Sequence, residues 1–436
     1  MSPALRQTLR LSVLEGCFAL LPQTYTTGVF ITGYLLLLHA DPWAFGLLAA
    51  VPALGQAAQL AAAAVLAQGE RRKAMCVWGA SLSRYLWLPM ALLPFAPLSD
   101  DAKLGLFFLL LATATALIQM SGVAWTSWMG DLVPAATRGR YFGFRNAVGA
   151  VVGMGAVWGG TAIMTAYKAA GQEARGFLVL IGLAVVASVA SQLALHAQAA
   201  PPPAPKTTPP RLRHTFRAPW ADRRFMRIVL GLGAWSFVAN LTGPFCYAYA
   251  MADLHLSYAT LGLHTMIVTA VGIGAQLAWG RAIDRWGAHK VLVGAMIPVC
   301  FHPLIWFFMH PGFTAPLWLD AVSTGVFWSG ITLATLALLL ERAPRGEQAP
   351  YVSLLNAFSG VATGLGSLAG GAFLAANGHT HFAYGLVAFQ VLLLPTVALR
   401  LGCMLALARI TAERPTLTLD VWAGAPVPVV EASISA

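Results

Sequence analysis

The chain has 436 residues, of which 58% are hydrophobic and only 10% charged, and its mean hydropathy is +0.70. This composition excludes a soluble globular protein and predicts a polytopic membrane protein. The formal net charge of +11 does not indicate a nucleic-acid partner, because the basic residues are dispersed in short loops between apolar runs, where they face anionic lipid headgroups.

Twelve apolar segments follow one another along the chain, and each has about the 20 residues that cross a bilayer as a helix. The first follows Arg6 and Arg10 and resembles a signal peptide. Because Glu15 and Gln23 interrupt it and no cleavage site follows, we expect it to stay in the protein. The predicted spans 1 to 12 cover residues 11–38, 43–67, 74–96, 104–130, 141–167, 176–197, 225–251, 257–280, 290–309, 315–340, 351–376 and 381–408.

The longest predicted loop separates spans 1–6 from spans 7–12. It contains PPPAPKTTPP followed by RLRHTFRAPWADRR, and proline runs favour an extended conformation that cannot build a core. The chain after about Thr411 has no helical period and is predicted to be disordered. The sequence therefore predicts an N-terminal six-helix bundle (1–197), a basic cytoplasmic linker (198–224), a C-terminal six-helix bundle (225–410) and a disordered tail (411–436).

The distribution of lysine and arginine sets the orientation, because positively charged loops stay on the cytoplasmic side of a membrane. When both termini are cytoplasmic, only Lys103, Lys168 and Arg175 fall in outer loops and Arg84 falls within a span, while the other basic residues fall on the cytoplasmic side. High alanine, arginine and proline usage, without a eukaryotic targeting signal, favours the inner membrane of a bacterium.

The two halves show an internal likeness at an offset of 210 residues, which places span 5 on span 11. Tyr141, for example, falls on Tyr351. Both spans also contain the pattern G-x-x-x-G-G, at residues 155–160 and 366–371, which predicts close packing of helix backbones. The likeness indicates a duplicated six-helix unit.

A charged loop between spans 8 and 9 reads GRAIDRWGAHK and contains the pattern G-x-x-x-D-R-x-G-x-x-K, formed by Gly280, Asp284, Arg285, Gly287 and Lys290. Together with twelve spans, two halves and a long middle loop, this pattern resembles the major facilitator superfamily of secondary transporters over essentially the whole chain. The resemblance implies an all-α membrane protein, with twelve transmembrane helices in two pseudo-symmetric six-helix bundles.

In that family the loop occurs between spans 2 and 3 and often again between spans 8 and 9. The first copy here is LAQGERRK, residues 66–73, which keeps Gly69 but has Leu66 where the aspartate is expected. Its remaining cations are Arg71, Arg72 and Lys73.

These charges are candidates for a gate that closes the cytoplasmic mouth when the cavity faces outward. If a pseudo-twofold axis relates the halves, Asp284 faces the positively charged start of span 5. The alternative is that the charges only set the topology. The candidate partners of Asp284 are Arg138, Arg140 and Arg145, and those of Arg71, Arg72 and Lys73 are Glu341 and Glu347.

The resemblance also implies a solute cavity between the halves, lined by spans 1, 4, 7 and 10. These spans carry polar side chains at depths where unsatisfied polar groups are costly. Gln23 and Asn240 occupy matching positions in spans 1 and 7, so we expect their amides to bind the solute from opposite halves. Hydrogen bonding between helices, or packing alone, is the alternative. The candidate solute-binding residues are Gln23, Tyr25, Gln119, Trp125, Trp235, Asn240, Thr324 and Trp328.

Three ionisable residues lie inside predicted spans, where a charge is costly unless it is paired or hydrated. Asp320 lies near the outer face on a cavity helix and is the first candidate for a proton carrier. Glu15 lies near the inner face and is the second candidate. Arg84 either takes part in coupling or pairs with Glu15.

These residues predict a secondary active transporter for a small organic, amphipathic or aromatic solute, coupled to protons, with export favoured over import. Spans 4 and 5 lack the arginine and proline motifs of drug–proton antiporters. A proton symporter that imports a small acid, sugar or chelate is therefore the alternative. The expected partners are the solute, protons and membrane lipids, and the protein is expected to be a monomer.

A metal-ion importer is a further alternative, although neighbours such as His264 and Met266 point to different helix faces. Its candidate residues in spans 7 and 8 are Cys246, Met251, His255, His264 and Met266. The five cysteines stand singly without metal-ligand spacing, so no resident metal and no cofactor are expected. An enzyme is not expected, because the ionisable groups within spans are scattered singly.

Overall fold

The structure, a computed structural model, describes residues 3–412 except for residues 57, 60–61, 63–71, 135–136, 201–216, 218, 344–347, 379–381 and 383–384. The prediction of an all-α membrane protein with twelve spans in two six-helix bundles is confirmed. Within the described residues, nine spans, 4 to 12, are each long and apolar enough to cross a membrane alone. Large apolar side chains such as Leu109, Val186 and Leu193 are exposed, as surfaces that face lipid require.

Each half contains six helical spans, and several spans consist of two segments. In the N-terminal half, spans 1 to 6 contain Pro3–Tyr25 and Gly28–Leu37, Pro42–Gly55, Arg72–Tyr85 and Trp87–Leu92, Asp100–Leu132, Arg138–Ala169, and Glu173–Ala197. In the C-terminal half, spans 7 to 12 contain Arg223–Asn240 and Cys246–Ala252, Tyr258–Trp286, Ala288–Cys300 and His302–Phe307, Pro316–Arg342, Gln348–Asn377, and Ala388–Ala412.

The first span of each half is broken near its middle. In span 1 the hydroxyls of Thr26 and Thr27 donate to backbone carbonyl oxygens of the preceding turn, at 2.7 and 2.8 Å, and the helix restarts at Gly28 with a φ of 57°. In span 7 Pro244 has no N–H to donate, and the chain forms the single 3₁₀ turn Gly243–Phe245. Each break leaves irregular backbone inside the bundle, which is tolerated in membranes where it lines a cavity.

The two halves pack against each other at their outer ends, which lie away from Pro3 and Ala412, the first and last described residues. One buried apolar cluster there includes Phe177 of the N-terminal half and Tyr258 of the C-terminal half, whose ring centroids are 6.3 Å apart. At the inner ends each half has its own cluster, one around Trp128 and one around Leu292. The space between the halves is therefore closed at the outer end and open at the inner end.

A polar contact joins the halves within this outer packing. The Tyr258 hydroxyl donates a hydrogen bond of 2.5 Å to Oε1 of Glu173, and Nζ of Lys168 lies 5.4 Å from the centre of the tyrosine ring. Any side chain at Gly33 would overlap the same hydroxyl. We call Gly33, Lys168, Glu173 and Tyr258 the outer closure.

The glycine pattern of span 11 has the packing role that its sequence predicts. A Cβ atom on Gly366 would overlap the carbonyl oxygen of Phe237, and one on Gly370 would overlap that of Leu241. Only glycine therefore permits span 11 to lie this close to span 7.

Some sequence predictions fall on residues outside the described part of the chain. The predicted linker at 198–224 is largely outside it, and the predicted tail is outside it from residue 413 onward. The division into two domains, a linker and a tail at these boundaries therefore stays a prediction.

Candidate functional site

A cavity of about 580 Å³, which we call the central cavity, lies between the halves. Residues 16–30 of span 1, 145–157 of span 5 and 265–269 of span 8 form its walls. Of the predicted lining helices, only span 1 contributes here. Solute pockets commonly have volumes of about 300–1,000 Å³, so the central cavity has room for a small organic molecule.

Polar side chains of the central cavity are available for a ligand. The amides of Gln23 and Asn146 are exposed to the cavity, and neither makes a hydrogen bond to another described residue. Gln23 lies in the last turn of the segment Pro3–Tyr25, directly before the break in span 1. Leu20, Phe30 and Met154 contribute apolar wall to the same cavity.

A second cavity of about 280 Å³ lies within the C-terminal half and is enclosed by spans 7, 8, 9, 10 and 12. Its polar walls include His264, His302, Asp320 and Arg400. It also contains Thr324 and Trp328, two of the predicted solute-binding residues.

Asp320 is the centre of a buried hydrogen-bond network in this second cavity. Its Oδ2 lies 3.0 Å from Nε2 of His264, and its Oδ1 accepts from the indole N–H of Trp306 at 3.0 Å. The other imidazole nitrogen, Nδ1, lies 3.2 Å from the Tyr247 hydroxyl. Asp320 is 4% exposed and His264 is 3% exposed, so the network is shielded from solvent in this conformation.

Arg400 is also buried, on span 12 beside the second cavity. Its Nη1 and Nη2 groups donate to the carbonyl oxygens of Val299 and Ala239, at 3.0 and 3.4 Å. Arg400 is therefore not among the cations on the cytoplasmic side, where its sequence context had predicted it, but lies inside the bundle. Backbone carbonyl groups of spans 7 and 9 compensate the guanidinium within the bundle.

The N-terminal half contains a second buried carboxylate, Glu15. Its Oε2 lies 3.2 Å from Nη2 of Arg145, and its Oε1 lies 3.9 Å from Nη2 of Arg84. Ser191 connects these groups, because its hydroxyl lies 3.1 Å from Oε1 of Glu15 and accepts from Nη1 of Arg84 at 2.7 Å. Arg84 therefore pairs with Glu15, one of the two roles considered for it.

Several predicted solute-binding residues make contacts between helices. Asn240 donates to Oγ1 of Thr363 on span 11 at 3.3 Å, and Gln119 accepts from Nε2 of Gln59 on span 2 at 3.1 Å. The indole N–H groups of Trp125 and Trp235 have no hydrogen-bond partner among the described residues. Gln23 lines the central cavity, and Thr324 and Trp328 line the second cavity, whereas Tyr25 packs edge-on against Phe30.

The charged loop between spans 8 and 9 lies at the open inner end. Gly287 has a φ of 83°, a conformation that favours glycine, and forms the turn between the two spans. Asp284, Arg285 and Lys290 are exposed, and Asp284 has no ion-pair partner within the described part of the chain. Gly280 lies one turn earlier, within span 8.

The cations after span 2 contact the N-terminal half in this conformation. Arg72 pairs with Asp131, and Nζ of Lys73 donates to the carbonyl oxygens of His196 and Gln198, at 2.7 and 2.6 Å. Among the other gating candidates, Arg140 and Glu341 are exposed. Arg71 and Glu347 lie outside the described residues, as does the side chain of Arg138.

Sequence reasoning missed His264, His302 and Arg400 as members of one site. Arg400 had a usable signal, since any arginine within a span is a candidate for function. His264 was considered only as a metal ligand. Among the described residues, no group of three or more His, Cys, Asp or Glu side chains is placed to hold a metal ion.

The described part of the chain thus forms two six-helix bundles with a cavity between them that carries polar side chains and is open at one end. The family model of the Major Facilitator Superfamily matches residues 228–431, and this match together with the fold confirms the resemblance to that family. No curated protein sequence matches the chain.

Solved structures of transporters share the fold over nearly the whole chain. The nucleoside transporter NupG has 14% identity and a TM-score of 0.63, and the match covers 94% of this chain and 99% of that chain. A bacterial homolog of the human lysosomal transporter Spinster, inward-facing and occupied, has 16% identity and a TM-score of 0.70, covering 94% and 98%. A D-xylose–proton symporter has 14% identity and a TM-score of 0.64, covering 92% and 97%.

Proposed function

We propose that this chain is a secondary active transporter that moves a small organic solute across the membrane by alternating access. The central cavity carries the proposal, because it presents polar side chains on an otherwise apolar wall, lies between the two bundles and is closed at the outer end. A cavity closed at one end is one of the two states that alternating access requires. We further propose that the protein lies in the inner membrane of a bacterium with both termini on the cytoplasmic side. It is proposed to act as a monomer.

Protons are the proposed driving ion, and Asp320 with His264 is the proposed carrier. The Tyr247 hydroxyl can donate to a neutral imidazole or accept from a protonated one, so the pair can gain or lose a proton without leaving an unpaired donor. The likeness to a D-xylose–proton symporter supports proton coupling. Glu15 and Arg84, the other coupling candidates, are ion-paired with each other, and we assign them the role of counter-ions.

The proposed gate uses the charges at the inner end. Asp284 is exposed and unpaired among the described residues while this end is open, and closing the mouth would bring it towards Arg140 at the start of span 5. The outer closure would separate in the same movement.

A counterflow experiment tests transport without assuming any driving ion. Liposomes that contain the purified chain are preloaded with an unlabelled solute and take up the labelled solute only if one carrier exchanges it across the membrane. The panel includes nucleosides, pentoses, and aromatic carboxylates with their amides. We expect exchange of at least one panel member, and the absence of exchange for every member contradicts the proposal.

An imposed pH gradient tests coupling and direction. Export by antiport, which the sequence favours, predicts that an acidic lumen drives uptake into the liposome. Import by symport, supported by the likeness to the xylose symporter, predicts that an acidic exterior does so. Asp320→Asn should keep counterflow but lose the response to the gradient, whereas Asp101→Asn, at an exposed carboxylate, should keep both. A persistent response in Asp320→Asn contradicts the assignment of Asp320.

A further inference from the structure

The central cavity has an unbalanced charge on its wall. Among the described residues that line it, Arg145 is the only charged side chain, and the remaining polar groups are amides and hydroxyls such as Gln23, Thr24 and Asn146. A partly buried cation on a cavity wall that carries no carboxylate favours an anionic ligand.

Contacts on two sides hold the guanidinium of Arg145 in place. Its Nη2 group lies 3.2 Å from Oε2 of Glu15, and its Nε–H donates to the carbonyl oxygen of Ser12 at 3.3 Å. The ring centre of Trp125 lies 4.6 Å from the guanidinium carbon. Gly16 leaves room for the group, because a Cβ atom there would lie 2.7 Å from Nη2.

The same contacts leave part of the guanidinium unused. No described residue accepts a hydrogen bond from the Nη1 group of Arg145, although the side chain is only 19% exposed and lies on the cavity wall. The planar guanidinium is suited to bind a carboxylate through parallel hydrogen bonds. Arg145 is therefore fixed on one side and available on the other.

The ion-pair network around Arg145 does not neutralise it. Glu15 lies between two guanidinium groups, those of Arg145 and Arg84, so this network of three charges has a net charge of +1. An anionic solute in the central cavity would offset that charge, whereas a cationic solute would add to it.

We propose that Arg145 binds the negatively charged group of the transported solute, so that the solute is a small organic anion with a carboxylate beside an apolar body. Leu20, Phe30 and Met154 contact the apolar body, and Gln23 and Asn146 bind its other polar groups. This inference rests on the proposed transport function and gives Arg145, a gating candidate in the sequence analysis, a role in solute recognition.

Matched carboxylates and amides test this charge preference. The probes are benzoate and benzamide, nicotinate and nicotinamide, and indole-3-acetate and indole-3-acetamide, because each amide keeps the shape but removes the charge. Thermal unfolding of the purified full chain reports binding, since a ligand of the folded state raises the melting temperature. We expect at least one carboxylate to raise it while the paired amide does not.

Variants assign the preference to Arg145. In Arg145→Gln the affinity for the carboxylate should fall by about tenfold to hundredfold, the loss expected for a hydrogen bond to a charged group. Arg409→Gln removes an exposed cation on span 12, away from the cavity, and should leave the affinity unchanged. Gly16→Ala keeps every charge but displaces the guanidinium of Arg145, so it should also weaken carboxylate binding.

Two results overturn the inference. The first is that no carboxylate in the set raises the melting temperature more than its amide does. The second is that Arg145→Gln, shown to be folded by its own thermal unfolding, keeps the full preference for the carboxylate over the amide. If amides or sugars still exchange in counterflow, the transporter proposal stands and only the anion inference fails. If nothing exchanges, the transporter proposal fails with it.

Discussion

Tyr258→Phe should shift the protein from the inward-open form towards an outward-open form. The substitution removes the hydrogen bond from the Tyr258 hydroxyl to Glu173, which crosses from one half to the other, and keeps the buried ring. A hydrogen bond to a carboxylate contributes about 1.5–3 kcal/mol. Because the contact exists only while the outer ends are together, the ratio of outward-open to inward-open molecules should rise by roughly 10- to 150-fold.

Distances across the outer end measure this shift. Spin labels at Leu98 and Phe313, which are exposed on opposite halves at the outer end, should show a larger fraction of long distances in Tyr258→Phe. The labels require a background in which the five native cysteines are replaced. Tyr249→Phe is the matched control, because its hydroxyl donates to the carbonyl oxygen of Met309 within one half, at 2.8 Å.

The Tyr249→Phe control separates an effect of the outer closure from a general loss of stability. Loss of a hydrogen bond within the C-terminal half lowers the stability of both conformations, so Tyr249→Phe should leave the distance distribution unchanged. Equal shifts in the two variants, or no shift in Tyr258→Phe, would show that the outer closure does not control the equilibrium.

Two further substitutions test the inner gate and the packing of span 11. Asp284→Asn should raise the inward-open fraction, because the carboxylate is exposed in this form and is proposed to form an ion pair only when the inner mouth closes. Spin labels at the inner ends of the two halves measure that fraction, and an unchanged fraction contradicts the gate. Gly366→Ala should destabilise the fold by about 1–3 kcal/mol through overlap with the Phe237 carbonyl group, measured by thermal unfolding. Gly402→Ala is its control, since no atom lies within 4 Å of the added Cβ, and an equal loss in both would refute the packing argument.

The spans and their division into halves could be predicted because their signals are local. A run of about 20 apolar residues and the charges of short loops are visible in any window of the sequence. The break in span 7 also has a local signal, since Gly243 and Pro244 stand side by side and proline removes a backbone hydrogen-bond donor.

The partners of the buried charges could not be predicted in the same way. Glu15 and Arg145 are 130 positions apart, and His264 and Asp320 are 56 apart, so only the packing of whole helices brings them together. Arg400 is one of two charges in a helix of 25 residues, which changes the mean hydropathy little. The sequence named Glu15, Arg145 and Asp320 as candidates and offered Arg84 as a partner of Glu15, but it did not indicate the contacts of Glu15 with Arg145 or of Asp320 with His264.

The two ends of the molecule differ in how they respond to ionic strength. The contacts that join the halves at the outer end include aromatic packing and a partly buried hydrogen bond, which dissolved ions screen less than exposed charge pairs. The charges at the inner end, such as Asp284 and Lys290, are exposed, and at physiological salt their attraction falls off within about 8 Å. A higher salt concentration on the inner side should therefore weaken the proposed inner gate and favour the inward-open form, whereas the same change in the external medium should have a smaller effect.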